Sequence, residues 1–282
     1  MSLHDKPPIF HALTPPFPQP VLTIVRCCSL LFALICFSQA AEPVPLPRSH
    51  AHNDYAHPRP LLDALQQGFC SIEADIYLID GQLLVAHDLK DAQPARTLQA
   101  LYLDPLRRQV LAHGGRVYPG GPVLTLLVDV KSEAVTTYAA LDRVLQGYRE
   151  ILTSYRDGKV EPGAVSILIS GNRARAESAA QQLRYAAIDG RLEDLEANPS
   201  PALVPWISAD WATLFKWRWT GEMPAGIRIS LEQLTTRVHS QGRQLRFWNT
   251  PDRPEVWREL QAAGVDWIGT DDLAGLAKFL RP

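Results

Sequence analysis

The chain has 282 residues, of which 46% are hydrophobic and 21% charged, with a formal net charge of −2. Together with a mean hydropathy of −0.10, this excludes a multi-span membrane protein and a generally disordered chain. The basic surplus of a nucleic-acid binder is missing, and no internal period marks a solenoid or propeller.

The first 47 residues differ from the rest. They hold nine of the 23 prolines, and three of the four cysteines are Cys27, Cys28 and Cys36. Residues 27–37 form an uncharged apolar run between Arg26 and Ser38-Gln39-Ala40. A basic residue, a short apolar run and small residues at −3 and −1 read as a secretory signal cleaved after Ala40. The run has 11 residues, against the roughly 20 that a membrane-spanning helix needs. The expected organisation is an N-terminal extension and signal peptide over 1–40, a Pro-rich linker over 41–47 and one domain over 48–282. Export to the periplasm or the medium follows from the signal. Residues 1–20 are proline-rich and carry Asp5, an unusual start that an over-extended reading frame would explain. Leu34-Ile35 before Cys36 lacks the small residue of a lipidation site. After Ala40 the chain keeps 26 basic and 29 acidic residues and a single cysteine, Cys70. An internal disulfide is thereby excluded, so a packed core must hold the domain together.

Beyond the linker, apolar runs alternate with amphipathic stretches. Taken in chain order, the pattern predicts strands at about 47–53, 69–78, 123–130, 164–169, 185–190, 204–208, 244–248 and 265–269. Helical spacing appears between them over 60–67, 133–153, 173–184, 230–241 and 254–263. Pro254 suits a first helical turn, and Gly264 suits a helix stop. Eight strands alternating with helices in one domain length predict an α/β fold, a (β/α)8 TIM barrel. A doubly wound open sheet is the runner-up, without a Gly-rich nucleotide loop to support it.

Barrel chemistry sits at the C-terminal ends of strands. Glu73 and Asp75 alternate within an apolar strand and so share one face. On a lumenal face, two carboxylates this close need a proton or a cation; on an edge strand they would be a solvated acidic face. Asp129 stands in the same setting at the end of LTLLVDV, with Lys131 two residues on. Three carboxylates with no nearby cysteine make an oxygen-only site suited to one divalent cation, Mg2+ or Ca2+. Lys131 either neutralises a substrate phosphate or ion-pairs with Asp129. Three histidines crowd into residues 50–57 (HAHNDYAH), and His87 follows the carboxylate strand. Two imidazoles on opposite sides of a metal-bound diester would serve as general base and general acid.

The order His52, Glu73-x-Asp75, Asp80-Gly81, Val85-Ala86-His87-Asp88, Asp129-x-Lys131, Phe247-Trp248-Asn249 and Thr270-Asp271 resembles the glycerophosphodiester phosphodiesterase and phospholipase-C-like superfamily. The resemblance runs from residue 48 to about 280. SHAHNDY, residues 101–106 (LYLDPL) and RFWNTPD look closest to its "altered inheritance of mitochondria" branch. It implies a metal on Glu73, Asp75 and Asp129, and His52 and His87 as the acid/base pair. It further implies Lys131 as a phosphate contact, Trp248 at the barrel mouth and cleavage of a small phosphodiester or lipid-headgroup substrate. One departure stands out: Asn53-Asp54 follows the first histidine where glycerophosphodiesterases carry Arg-Gly. Asn53 cannot replace that arginine's charge. Arg59 is a candidate substitute from the next loop, and Asp54 a candidate addition to the metal shell.

Two other readings compete. His50-Ala51-His52 is an H-x-H pair like that of metal-dependent amidohydrolases, with Asp271 as a final ligand, although the middle strands lack the further histidines. The other is a non-catalytic barrel that binds a phosphorylated or lipid ligand. Trp206, Trp211, Phe215, Trp217 and Trp219 form a dense aromatic segment. It reads either as a packed loop on the rim, the commoner use of aromatics, or as a peripheral membrane contact. Residues 191–198 (RLEDLEAN) read as a solvated charge run.

Overall fold

The computed structural model describes residues 42–281; the segment read as a signal peptide lies outside the described residues. Eight parallel strands form the barrel: β1 (Leu46–Ala51), β2 (Phe69–Ile79), β3 (Leu124–Val130), β4 (Val165–Gly171), β5 (Ala186–Gly190), β6 (Trp206–Asp210), β7 (Gln244–Trp248) and β8 (Ile268–Thr270). Each pairs with the next from β1 to β7, and β8 pairs with β1. A single parallel bridge, Arg246 to Trp267, closes the circle between β7 and the approach to β8. A short antiparallel strand, Gln82–Val85, folds back on β2 through the Asp80-Gly81 turn.

The strands alternate with α1 (Leu62–Gln67), α2 (Asp104–Ala112), α3 (Ala134–Gln146), α4 (Arg175–Ala180), α5 (Asp194–Ala197), α6 (Trp211–Leu214), α7 (Ala225–Ser240), α8 (Pro254–Ala262) and α9 (Leu273–Leu280). Alternation along the strands divides the interior in two. On β2, the buried Ile72, Ala74 and Ile76 belong to the apolar core, while Ser71, Glu73 and Asp75 point the other way. Burying an aliphatic side chain contributes about 1.5–3 kcal/mol, so this apolar layer offsets the cost of a polar lumen.

The eight predicted strands correspond in order to the eight barrel strands, with shifts at their ends; four short strands outside the barrel were not predicted. β1 opens at Leu46, inside the predicted linker, because Leu46 N–H donates to the Gly68 carbonyl at 2.7 Å. The predicted helix over 133–153 stops at Gln146, and that over 173–184 is reduced to α4. A hairpin between them, Ser154–Arg156 with Lys159–Glu161, joins Leu183–Arg184 just after α4 in a small antiparallel sheet. Asp157 and Gly158 sit at φ 50° and 77°, the backbone that a two-residue hairpin requires. β8 starts at Ile268 rather than at 265. Asp266 and Trp267 instead direct their N–H groups to the Leu245 carbonyl, at 3.1 and 3.2 Å.

The turn after β1 is fastened from inside. Asp54 is fully buried, and its Oδ2 accepts from Leu61 N–H at 2.6 Å and from the Tyr102 hydroxyl at 2.9 Å. Its Oδ1 has no partner. Asp54 therefore faces the helical layer and stands outside the carboxylate cluster formed by Glu73, Asp75 and Asp129, because the buried Leu61 N–H and Tyr102 hydroxyl claim it. Burial pushes its carboxyl up to about 6, against the lowering effect of those two hydrogen bonds. A carboxyl raised on folding takes up a proton, so its contribution to stability is complete below about pH 4 and is lost as pH rises through 6. Thermal melts across pH 4–8 should show the stability of the native chain falling relative to Asp54→Asn as pH rises through about 6. Parallel curves for the two proteins would refute this.

Candidate active site

The parallel register of β2 and β3 places Asp75 directly beside Asp129, and Glu73 beside Leu127. Glu73, Asp75 and Asp129 each offer an oxygen within 4.8 Å of the others'. Glu73 and Asp75 are buried, Asp129 half-buried. Burial raises the Asp75 carboxyl above its ordinary value, with Glu73 adding repulsion, and burial lifts Asp129 to about 6. Glu73 goes the other way. Burial opposes its charge, but the Arg246 guanidinium and His50 outweigh it and hold the carboxyl well below the usual range.

Two cations and one neutral donor compensate the carboxylates, from three strands. Arg246 on β7 reaches Glu73 Oε2 at 2.6 Å, and His50 Nε2 approaches the same oxygen at 2.9 Å. Lys131, just past β3, spans Asp75 Oδ2 at 3.1 Å and Asp129 Oδ2 at 3.2 Å. The ion pair anticipated between Lys131 and Asp129 is thus present and includes Asp75. These cations leave two oxygens over: Asp75 Oδ1 and Asp129 Oδ1 are buried without a hydrogen-bond partner. Unpartnered oxygens on two carboxylates of an all-oxygen cluster fit a hard divalent cation.

Two histidines stand beside this cluster, each with Nδ1 against a carboxylate. His52 follows the end of β1, and its Nδ1 meets Asp271 Oδ1 at 2.8 Å just past β8. Burial works against its protonation, yet Asp271 and Glu73 raise its pKa above the ordinary value. His87 Nδ1 lies 3.2 Å from Asp75 Oδ2 and 2.9 Å from the Tyr55 hydroxyl. That hydroxyl also donates to Asp75 Oδ2 at 2.8 Å. With Nδ1–H spent on a carboxylate, each ring keeps Nε2 for a ligand.

His50 is built differently. It is completely buried, its Nδ1 accepts from Ser71 Oγ at 2.7 Å and its Nε2 donates to Glu73. Burial and Arg246 hold it near 4, so it is neutral. Neither nitrogen is available to a metal, which removes the H-x-H ligand pair of the amidohydrolase reading.

The remaining anticipated residues scatter more widely. Asn53, at φ 48°, directs its amide to Asp271 at 3.3 Å. Trp248 forms a wall shared by a 170 Å3 cavity containing His52, Arg246 and Asp271 and a 480 Å3 cavity containing Arg191 and Asp210. The Arg191 guanidinium lies 4.9 Å from the centre of the Trp248 ring. Arg59 is held by Asp63 at 2.7 Å and Gln66 at 2.7 Å, and no polar contact ties it to the cluster. Trp211, Phe215 and Trp219 are buried against one another and Phe247, the packed-loop arrangement.

Arg246, His50, Tyr55 and Asp271 were not singled out for these roles in the sequence. Arg246 had a signal, a charge inside an apolar strand in step with Trp248. Asp271 had another, an acid immediately after the last strand.

Gly171 ends β4 at φ 66°, where a Cβ would lie 2.0 Å from Asp129 Oδ1 and 2.4 Å from the Val130 carbonyl. Replacing it by alanine should displace Asp129 and cost about 1–3 kcal/mol of stability. In calorimetric titration, Gly171→Ala should bind divalent cations at least tenfold more weakly than the native chain, by the energy of one lost ligand of this order. Undiminished affinity would show that Asp129 is not a ligand.

The sequence and the fold both have similar counterparts among known proteins. Residues 37–187 match the AIM6-like phosphodiesterase domain, and residues 244–274 match the glycerophosphoryl diester phosphodiesterase family. An altered inheritance of mitochondria protein 6 homolog from Arthroderma benhamiae is 28% identical over 82% of this chain and 82% of its own. Altered inheritance of mitochondria protein 6 from Eremothecium gossypii is 27% identical over 83% of this chain and 69% of its own. In fold, the chain is similar to the glycerophosphodiester phosphodiesterase of Agrobacterium tumefaciens, with a TM-score of 0.51 at 17% identity over 82% of this chain and 98% of the other. The match to the domain covers more than half of the sequence, and the chain belongs to the family of AIM6-like phosphodiesterase domains.

Proposed function

We propose that the chain cleaves a glycerophosphodiester or phospholipid-type phosphodiester, with one Mg2+ or Ca2+ held by Glu73, Asp75 and Asp129 and with His52 and His87 as the acid/base pair. The observation that carries this reading is the pair of Nδ1-anchored histidines beside a carboxylate cluster with unpartnered oxygens. A cation there would polarise the phosphoryl oxygens and offset charge developing on them. His87, the more exposed ring, takes the proton from the attacking oxygen, either water or a neighbouring hydroxyl of the substrate. The new O–P bond forms as the P–O bond to the leaving alcohol breaks. His52, whose proton affinity is raised above the ordinary value, returns a proton to that alcohol oxygen.

Lys131 stands beside the carboxylates as the cationic contact for phosphate, Asn53 orients its edge of the site through Asp271, and Trp248 bounds the space for the alcohol. Arg59 has no part in this proposal because Asp63 and Gln66 hold it on the α1 side. A soluble diester is favoured over a membrane-embedded lipid, since the large aromatics of the 211–219 loop are mostly turned inward. Export after cleavage at Ala40 is proposed on the signal pattern of residues 26–40.

A panel of glycerophospho-alcohols and lysophospholipids, followed by phosphorus NMR, should show turnover that EDTA abolishes and divalent cation restores. No turnover of any diester at any metal concentration would favour the binding-only barrel. His52→Ala and His87→Ala should each lower kcat by about 10²–10⁴-fold with melting temperature unchanged. Full activity in either variant would sink the acid/base assignment.

A further inference from the structure

Every carboxylate of the cluster has one oxygen engaged by the protein and one left over. Glu73 Oε2 accepts from both Arg246 and His50, at 2.6 and 2.9 Å. Asp75 Oδ2 faces the Tyr55 hydroxyl, Lys131 and His87 at 2.8, 3.1 and 3.2 Å. Asp129 Oδ2 faces Lys131 at 3.2 Å. Asp75 Oδ1 and Asp129 Oδ1 are buried and unpartnered. Asp129 is also wedged against the backbone at Gly171, where there is no room even for a Cβ. A carboxylate that grips an ion through both oxygens must surrender the partners of the second. For Glu73 that would mean breaking an ion pair whose two side chains are only 6% and 5% exposed, and stranding a buried guanidinium is costly.

This geometry has a consequence for the cation. Ca2+ takes six to eight oxygens and commonly draws two from one carboxylate; Mg2+ takes six at short range and keeps several waters. We propose that Arg246 and His50, by holding one oxygen of Glu73 as Lys131 and Tyr55 hold one oxygen of each aspartate, limit Glu73 to a single-oxygen ligand and make the cluster a Mg2+ site that discriminates against Ca2+. Both are positioning residues in this role, acting on the cation through Glu73. The inference rests on Glu73, Asp75 and Asp129 being the ligands, and the experiment separates the two claims.

Isothermal titration of the full chain with Mg2+, Mn2+ and Ca2+ in the absence of substrate reads affinity directly. The native protein should bind Mg2+ more tightly than Ca2+, with Mn2+ following Mg2+. Arg246→Met and His50→Leu each remove one of the two groups that hold Glu73 Oε2, and so loosen it for a two-oxygen grip. Charge alone would alter the affinity for both divalent ions together, so the readout is the ratio of the Ca2+ to the Mg2+ Kd. That ratio should move toward Ca2+ by at least about threefold in each variant that folds, as expected when a two-oxygen grip becomes available. A smaller change overturns the clamp. Ca2+ binding more tightly than Mg2+ to the native chain overturns it without any variant, while leaving the ligand set intact. Failure of all three cations to bind would remove the ligand assignment itself.

Discussion

Three carboxylates forced together at the mouth of a barrel are the constraint to which the rest of this structure answers. Burial and mutual repulsion both work against their charge, and the effect is visible in the raised carboxyls of Asp75 and Asp129. The protein offsets part of it with fixed cations rather than with protons. Lys131 is shared by the two aspartates, and Arg246 is given to Glu73. The compensation is incomplete by design of the hydrogen bonding: one oxygen on each aspartate is left without a partner.

Barrel closure and site electrostatics meet at one residue. Arg246 forms the single backbone bridge to Trp267 that completes the circle, and its side chain crosses the lumen to Glu73 on β2. The apolar face of β2 secures that strand from outside through Ile72, Ala74 and Ile76. The polar face is consequently held in place by packing it does not itself provide, which is how a barrel can keep ionised groups in its interior.

Much of this was legible in the residue pattern, for identifiable reasons. Period-two alternation places Glu73 and Asp75 on one face whatever the fold, and eight apolar runs in one domain length leave few architectures other than a barrel. What the pattern hid was long-range or local in an unusual way. The partner of Glu73 lies 173 positions away on β7, and the partner of His52 lies 219 positions away beyond β8. No spacing rule links such pairs; only the closed circle of strands brings β1, β2, β7 and β8 together. The overlong helices had a different cause. The helix predicted over 133–153 was carried past Gly147, where α3 ends, and the one predicted over 173–184 was carried into Leu183–Arg184, which pairs as a strand. Asp54 was misplaced because composition says nothing about which side of a turn a carboxylate takes; Tyr102 and the Leu61 N–H decide it.

The wall formed by Trp248 separates two kinds of residue by strand. The carboxylates and the shared lysine belong to β2, β3 and the residue after β3, whereas both cavities beside Trp248 are lined mainly from the ends of β5 to β8. One arc of the barrel thus holds the charge, and the opposite arc shapes the room next to it, with Arg246 spanning the two. Among the described residues the loops after β5 and β6 make no hydrogen bond to the three carboxylates, whereas the residue after β8, Asp271, holds His52. Under the proposed function, the room for the leaving group is therefore free to vary on the β5 and β6 side and is tied to the charged arc on the β7 and β8 side.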